Sequence, residues 1–225
     1  MSICDNLRTI FPKYTQTSEG QTEVKVLEKG SQAKLIEVKW TNSNFQVIDP
    51  RIVSNMKSLF ESGGSVKMLH LDCDGIMIFE KDGQKYLFFS ELKSGFDPRR
   101  INKAKNQIIA SYLKINMILN LLSDYEKADY IIKGFIFSNP PTGTDLRDLS
   151  KITMLGTTSR YLTEPFFVYD LCFEQNPFLL QSSSLYELRN VPLDLDKGLF
   201  DKIEFYHIPV PNGQTSITLD VQNYI

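Results

Sequence analysis

The segment CDGIMIFEKDGQKYLFFSELKSG, residues 73–95, decides how the chain folds. Two apolar runs flank Asp82–Gly83. Asp-Gly between such runs is the strongest short signal for a β-hairpin, because both central residues of a type I′ turn need positive φ. A two-residue turn also sets the register. Lys81 then faces Gln84, and counting outward Asp74 faces Glu91 and Asp72 faces Lys93. Strand side chains alternate, so Asp72, Asp74, Glu91 and Lys93 are predicted to share one face. Directly opposed Cβ atoms lie about 4.5–5.5 Å apart. Two carboxylates that close repel, and a divalent cation between them removes the conflict. Mg²⁺, or Mn²⁺ in its place, suits carboxylate oxygens completed by water and a substrate phosphate. A longer loop or a bulge would shift the register by one and separate the pair.

Lys93 lies two residues beyond Glu91 on the same face. An ammonium there can hold an attacking water or offset charge on a pentavalent phosphate. A bound cation can polarise the phosphoryl oxygen and lower the pKa of the water. These are the parts that phosphodiester hydrolysis needs.

Downstream, residues 99–122 carry the longest helical pattern in the chain. Ile101, Ala104, Ile108, Tyr112, Ile115, Leu119 and Leu122 fall on one stripe at 100° per residue. From Leu92 to Lys114 the positive residues are Lys93, Arg99, Arg100, Lys103, Lys105 and Lys114, and the only acid is Asp97. Arg100, Lys103, Gln107 and Lys114 cluster on the helical wheel beside the apolar stripe. Arg100 and Lys103 are therefore the predicted contacts to a nucleic-acid backbone. Gln107, at the edge of the core, is placed to orient a water or a substrate group.

Around this centre the pattern is readable in pieces. Residues 23–28 and 33–40 read as strands joined at Lys29–Gly30, and Asp49–Pro50 opens a helix that stops at Gly63–Gly64. The first hairpin strand is expected over about 66–80 and the second over about 85–93. A strand follows at about 129–138, a short helix at 144–152, a strand at 165–173 and short strands within 203–221. His70, His207 and Trp40 read as structural residues, and Cys73 as buried on the face opposite the acids.

The whole chain bounds these readings. It has 225 residues, 42% of them apolar, and a net charge of −2, so it can bury a core but has no global basic field. No apolar run is long enough to span a membrane, and Asp5 and Arg8 interrupt the only apolar stretch near the start, unlike a secretory signal. Cys4, Cys73 and Cys172 are scattered and odd in number, which suits a reducing cytoplasm rather than a disulfide framework. Two histidines argue against a multi-histidine zinc centre. Walker A, GxGxxG and GxSxG motifs are absent.

The order Asp74, Glu91-x-Lys93, then a basic helix with Gln107 resembles the PD-(D/E)XK nuclease superfamily. Matched residue by residue, Asp74 takes the first acid, Glu91 the second, Lys93 the lysine and Gln107 the polar residue on the succeeding helix. An acid from the preceding helix, common in the family, would be Glu61. Cys73 stands where the motif has proline, and Tyr112 lies five residues after Gln107 rather than the four of the recombination-nuclease variant. The likeness covers about residues 50–138. It implies a restriction-endonuclease-like α/β fold: a mixed central sheet flanked by helices, here with an N-terminal hairpin and a β-rich C-terminal extension in one domain, 1–225. It implies an Mg²⁺-dependent nuclease, with DNA as the expected substrate, Asp74 and Glu91 as metal ligands, a homodimer, and a role in restriction, repair or anti-phage defence. The alternative is a non-catalytic nucleic-acid- or protein-binding module on a degenerate nuclease fold.

The E-x-K tripeptide itself says little, since Glu23–Lys25 and Glu37–Lys39 also have it. Only Glu91–Lys93 has an acid set opposite by a hairpin, with a basic helix following. Read in isolation, Glu91 and Lys93 are a solvated strand face with an ion pair.

Overall fold

A computed structural model describes residues 2–14, 18–28, 35, 37–60, 64–155, 164–182 and 202–225. Its helices are α1 (Ile3–Ile10), α2 (Arg51–Asn55), α3 (Pro98–Leu119), α4 (Gly143–Leu155) and α5 (Glu164–Tyr169). Its strands are β1 (Ser18–Leu27), β2 (Glu37–Ile48), β3 (Gly75–Lys81), β4 (Gln84–Leu92), β5 (Tyr130–Ser138), β6 (Phe178–Gln181), β7 (Lys202–Pro209) and β8 (Ser216–Asp220). They form one mixed sheet in the order β1-β2-β3-β4-β5-β7-β6, with β8 parallel to the first half of β2. β1 to β4 run as an antiparallel meander, and β4, β5 and β7 are parallel. The α/β class and the mixed sheet flanked by helices are thus as the sequence predicts. β7 continues the sheet beyond β5, so part of the C-terminal region is integral to it.

α3 supplies the crossover between β4 and β5, as a parallel pair requires. Asp97 caps it, its carboxylate accepting from the N–H groups of Arg99 (2.8 Å) and Arg100 (3.2 Å). Pro98 occupies the first turn, where no intrahelical donor is needed. The apolar stripe of α3 packs Ile101, Ala104 and Ile108 on Ile76, Phe89 and Ile136 of the sheet. The other sheet face buries Met77, Phe88 and Phe135 under Val26, Trp40 and Val221. β4 and β5 are covered on both faces, which explains their near-continuous apolar sequence. Each large side chain so buried stabilises the fold by about 1.5–3 kcal/mol.

β1 starts earlier and β2 runs eight residues further than the predicted 23–28 and 33–40, and two other segments change type. Residues 66–70 lie in a 3₁₀ helix, Gly64–His70, and the strand begins only at Gly75. Residues 165–173 form α5 and a π-helical turn, Asp170–Glu174, instead of a strand. Both runs are short and apolar, and periodicity does not separate a buried strand from a buried helical turn at that length. The predicted helix after Asp49 is α2 followed by a 3₁₀ turn, Met56–Leu59. The predicted turn at Lys29–Gly30 lies outside the described residues. Among the described residues, no helix is long and apolar enough to cross a membrane.

Candidate active site

The hairpin turn is built as the Asp-Gly pair requires. Asp82 has φ +51° and Gly83 φ +80°, both in the left-handed region that the type I′ turn demands. The register runs from Lys81 opposite Gln84 to Gly75 opposite Ser90. One step further, the Asp74 N–H donates to Ser90 O at 3.1 Å, which sets Asp74 beside Glu91. The Asp74 carboxylate then accepts from the Leu92 N–H at 2.9 Å. The two acids thus stand side by side, Asp74 just ahead of β3 and Glu91 near the end of β4, with Asp74 bonded to the β4 backbone at Ser90 and Leu92.

Glu91 is 2% exposed. Its Oε1 accepts from Lys93 Nζ, whereas its Oε2 is buried with no hydrogen-bond partner among the described residues. Burial pushes the carboxyl up to about 8, and the charge of Asp74 adds to the effect while Lys93 opposes it. Lys93 Nζ also donates to Gln107 Oε1 at 2.7 Å, and Gln107 Nε2 donates to the backbone oxygen of Asp72 at 2.8 Å. Gln107 therefore connects the lysine to the chain that leads into Asp74, with both ends of its amide engaged. The Lys93 backbone turns toward β5, its N–H donating to Phe137 O at 2.8 Å.

Among the described residues, no strand ladder pairs Asp72 with Lys93. β3 starts at Gly75, and residues 71–73 belong to no strand, so the alternation that groups Asp72 with the other three ends before it reaches Asp72. Two of the basic residues are also inside the protein. Lys114 is fully buried, and Lys105 is 6% exposed with its ammonium 5.1 Å from the Phe167 ring centre. Arg99, Arg100 and Lys103 stay exposed on the first turns of α3. The expected phosphate-facing stripe is therefore confined to the N-terminal end of the helix.

The rival E-x-K pairs neutralise each other. Lys25 pairs with Glu37 at 3.3 Å and Lys39 with Glu23 at 2.5 Å across the β1–β2 ladder. His70 Nε2 lies 2.8 Å from Phe60 O, and His207 Nε2 lies 2.8 Å from Ser138 Oγ in a buried contact. Trp40 is fully buried, its indole N–H donating to Ser90 Oγ at 3.2 Å. Cys73 is buried, and its thiol donates to Gly75 O. Glu61 lies outside the described residues.

One acid near the site has no counterpart in the sequence reading. Glu28, just past the end of β1, has its carboxyl raised by burial and then by the charge of Asp74, with Lys93 and Arg100 opposing. β1, paired with β2, passes closely over Gly75 here. A Cβ on Gly75 would stand 2.6 Å from Val26 Cγ2, so any side chain there would force β1, which leads into Glu28, to shift. A cleft of about 340 Å³ opens between β1, β2 and the start of β3, with Asp74, Gly75, Val26 and Ile48 among its walls. Nothing in the residues around Glu28 marks it, since its placement depends on a crossing between distant strands.

A hard cation suits this donor set. Carboxylate oxygens dominate it, one buried oxygen each of Glu91 and Glu28 lacks a hydrogen-bond partner among the described residues, and the charge of Asp74 raises both carboxyls. Among the described residues, no group of three or more His, Cys, Asp or Glu gathers in a metal-holding arrangement. Compared with known proteins, the chain matches no family model, no curated protein and no solved structure.

Proposed function

We propose that the chain is a divalent-metal-dependent phosphodiester hydrolase of the PD-(D/E)XK kind, acting on DNA. The observation that carries the reading is the buried, partnerless Oε2 of Glu91 beside Asp74, with Lys93 tied to Glu91 and Gln107. The placement of an acid ahead of β3, an E-x-K at the end of β4 and a glutamine on the next helix supports the restriction-endonuclease-like assignment.

Asp74 and Glu91 would hold a magnesium ion. When bound, that ion supplies a polarised phosphoryl oxygen and a water of lowered pKa. The chain's own residues do the rest. Glu91 would bind the ion as a carboxylate, its proton released to solvent. Lys93, its ammonium oriented by Glu91 and Gln107, holds the attacking water and offsets charge on the phosphate. Arg100 and Lys103, exposed at the start of α3, bind backbone phosphates. The same reading carries a cytoplasmic homodimer in restriction, repair or anti-phage defence.

The test is incubation of plasmid DNA and of RNA with Mg²⁺ or Mn²⁺, with EDTA as control. Cleavage is expected with metal and is lost in Glu91→Ala and in Lys93→Met. Absence of metal-dependent cleavage on every substrate, with salt-sensitive binding retained, would replace the hydrolase with a non-catalytic nucleic-acid-binding module. Cleavage that survives in Glu91→Ala would place the chemistry elsewhere.

A further inference from the structure

The chain that leads into Asp74 is held by a helix rather than by the sheet. Residues 71–73 have no regular structure, so their main-chain groups, half-buried at Leu71 and Asp72 and buried at Cys73, take partners from elsewhere. The Leu71 N–H donates back to Met68 O at 3.0 Å, and α3 supplies three further partners. Lys114 Nζ donates to Leu71 O at 2.6 Å, and Gln107 Nε2 donates to Asp72 O at 2.8 Å. The Cys73 N–H donates to Ser111 Oγ at 2.8 Å. Positions 107, 111 and 114 follow the i, i+4, i+7 spacing of one helical stripe. Gln107 is also the acceptor of Lys93, so one stripe of α3 governs both the approach to Asp74 and the lysine.

Ser111 and Lys114 are fully buried. Taking an ammonium out of water is costly, and burial lowers the Lys114 pKa while Asp72 and Cys73 oppose the shift. An apolar side chain of the same shape would fill the space without that penalty. What lysine adds is a donor for Leu71 O, three residues before the first acid of the site.

We propose that Ser111 and Lys114 are positioning residues, which fix the main chain at 71–73 so that Asp74 stands against Glu91 at the spacing one cation needs. The inference rests on the metal-dependent reading of the site. Neither residue touches substrate or metal. Each acts through Asp74.

The test uses the full chain and two substitutions, Lys114→Met and Ser111→Ala, each also combined with Asp74→Ala. Mn²⁺ affinity is measured by calorimetry without nucleic acid. Loss of a supporting hydrogen bond behind a metal ligand weakens binding about 10–100-fold, and that is the expected effect of either change alone. In the Asp74→Ala background neither should weaken binding further, because the residue through which they act is gone. Equal losses in both backgrounds, or a lowered unfolding temperature with unchanged affinity, would overturn the proposal. Amide exchange at the Leu92 N–H, which Asp74 accepts, gives a readout that needs no metal. If the wild-type chain binds no Mn²⁺, the metal reading fails by itself and this amide decides. Faster Leu92 exchange in Ser111→Ala and in Asp74→Ala, with β5 amides unchanged, upholds the positioning role. Unchanged Leu92 exchange in Ser111→Ala removes it.

Discussion

Glu91→Gln keeps the size of the side chain and removes its ability to ionise. In the metal-free protein, burial and then the charge of Asp74 raise this carboxyl from 4.5 to about 8. Between those values the folded state binds more protons than the unfolded state. Stability therefore falls as pH rises through that window and levels off above pH 8. The full shift corresponds to roughly 5 kcal/mol, of which roughly 3 kcal/mol falls between pH 6 and 9. Glutamine carries no such dependence. The unfolding free energy of the variant minus that of the wild type should accordingly grow by roughly 3 kcal/mol from pH 6 to pH 9. Urea unfolding in EDTA, followed by circular dichroism, measures both proteins. The difference between them cancels the titrating groups that are not coupled to Glu91. Parallel curves across that range would refute the reasoning, because they would mean a carboxyl that is already ionised at pH 6 or equally solvated in both states.

Further expectations concern the elements around the site. Gly75→Ala sets a methyl group 2.6 Å from Val26 Cγ2 and 2.8 Å from Cγ1. It should destabilise the chain by about 1–3 kcal/mol in the same unfolding assay, with partial recovery in the double variant with Val26→Ala. His207 is held neutral by burial, its pKa lowered from 6.5 to about 4. Its contribution is complete above pH 6.5 and is lost as pH falls through that window, roughly 3 kcal/mol in all, so His207→Gln should flatten the acid limb of the stability curve. Arg100→Ala with Lys103→Ala should lower the slope of log affinity for DNA against log salt by about 2, one for each phosphate contact, as read by fluorescence anisotropy across a salt series.

The centre of the fold was legible because its rules are local. Asp82–Gly83 fixes a turn type, the turn fixes the register, and the register sets Asp74 against Glu91 with no knowledge of the rest of the chain. The stripe of α3 follows equally from spacing alone. Other features depend on what packs against them. The helical wheel gives the angle of Lys105 and Lys114 but not the α5 ring that covers one or the 71–73 backbone that receives the other. Residues 66–70 and 165–173 alternate and repeat too briefly to choose between strand and helix, and packing under the sheet decides for the helix. Glu28 is brought to the site by a crossing at Gly75 that joins residues nearly fifty apart, and no local pattern encodes that.

The measurement that bears most directly on the site is anomalous diffraction from crystals soaked in Mn²⁺. One peak is expected, bonded to a carboxylate oxygen of Asp74 and to Oε2 of Glu91, and absent in Glu91→Gln. Ordered Asp74 and Glu91 side chains with no peak between them at saturating Mn²⁺ would contradict a shared cation and, with it, the hydrolase.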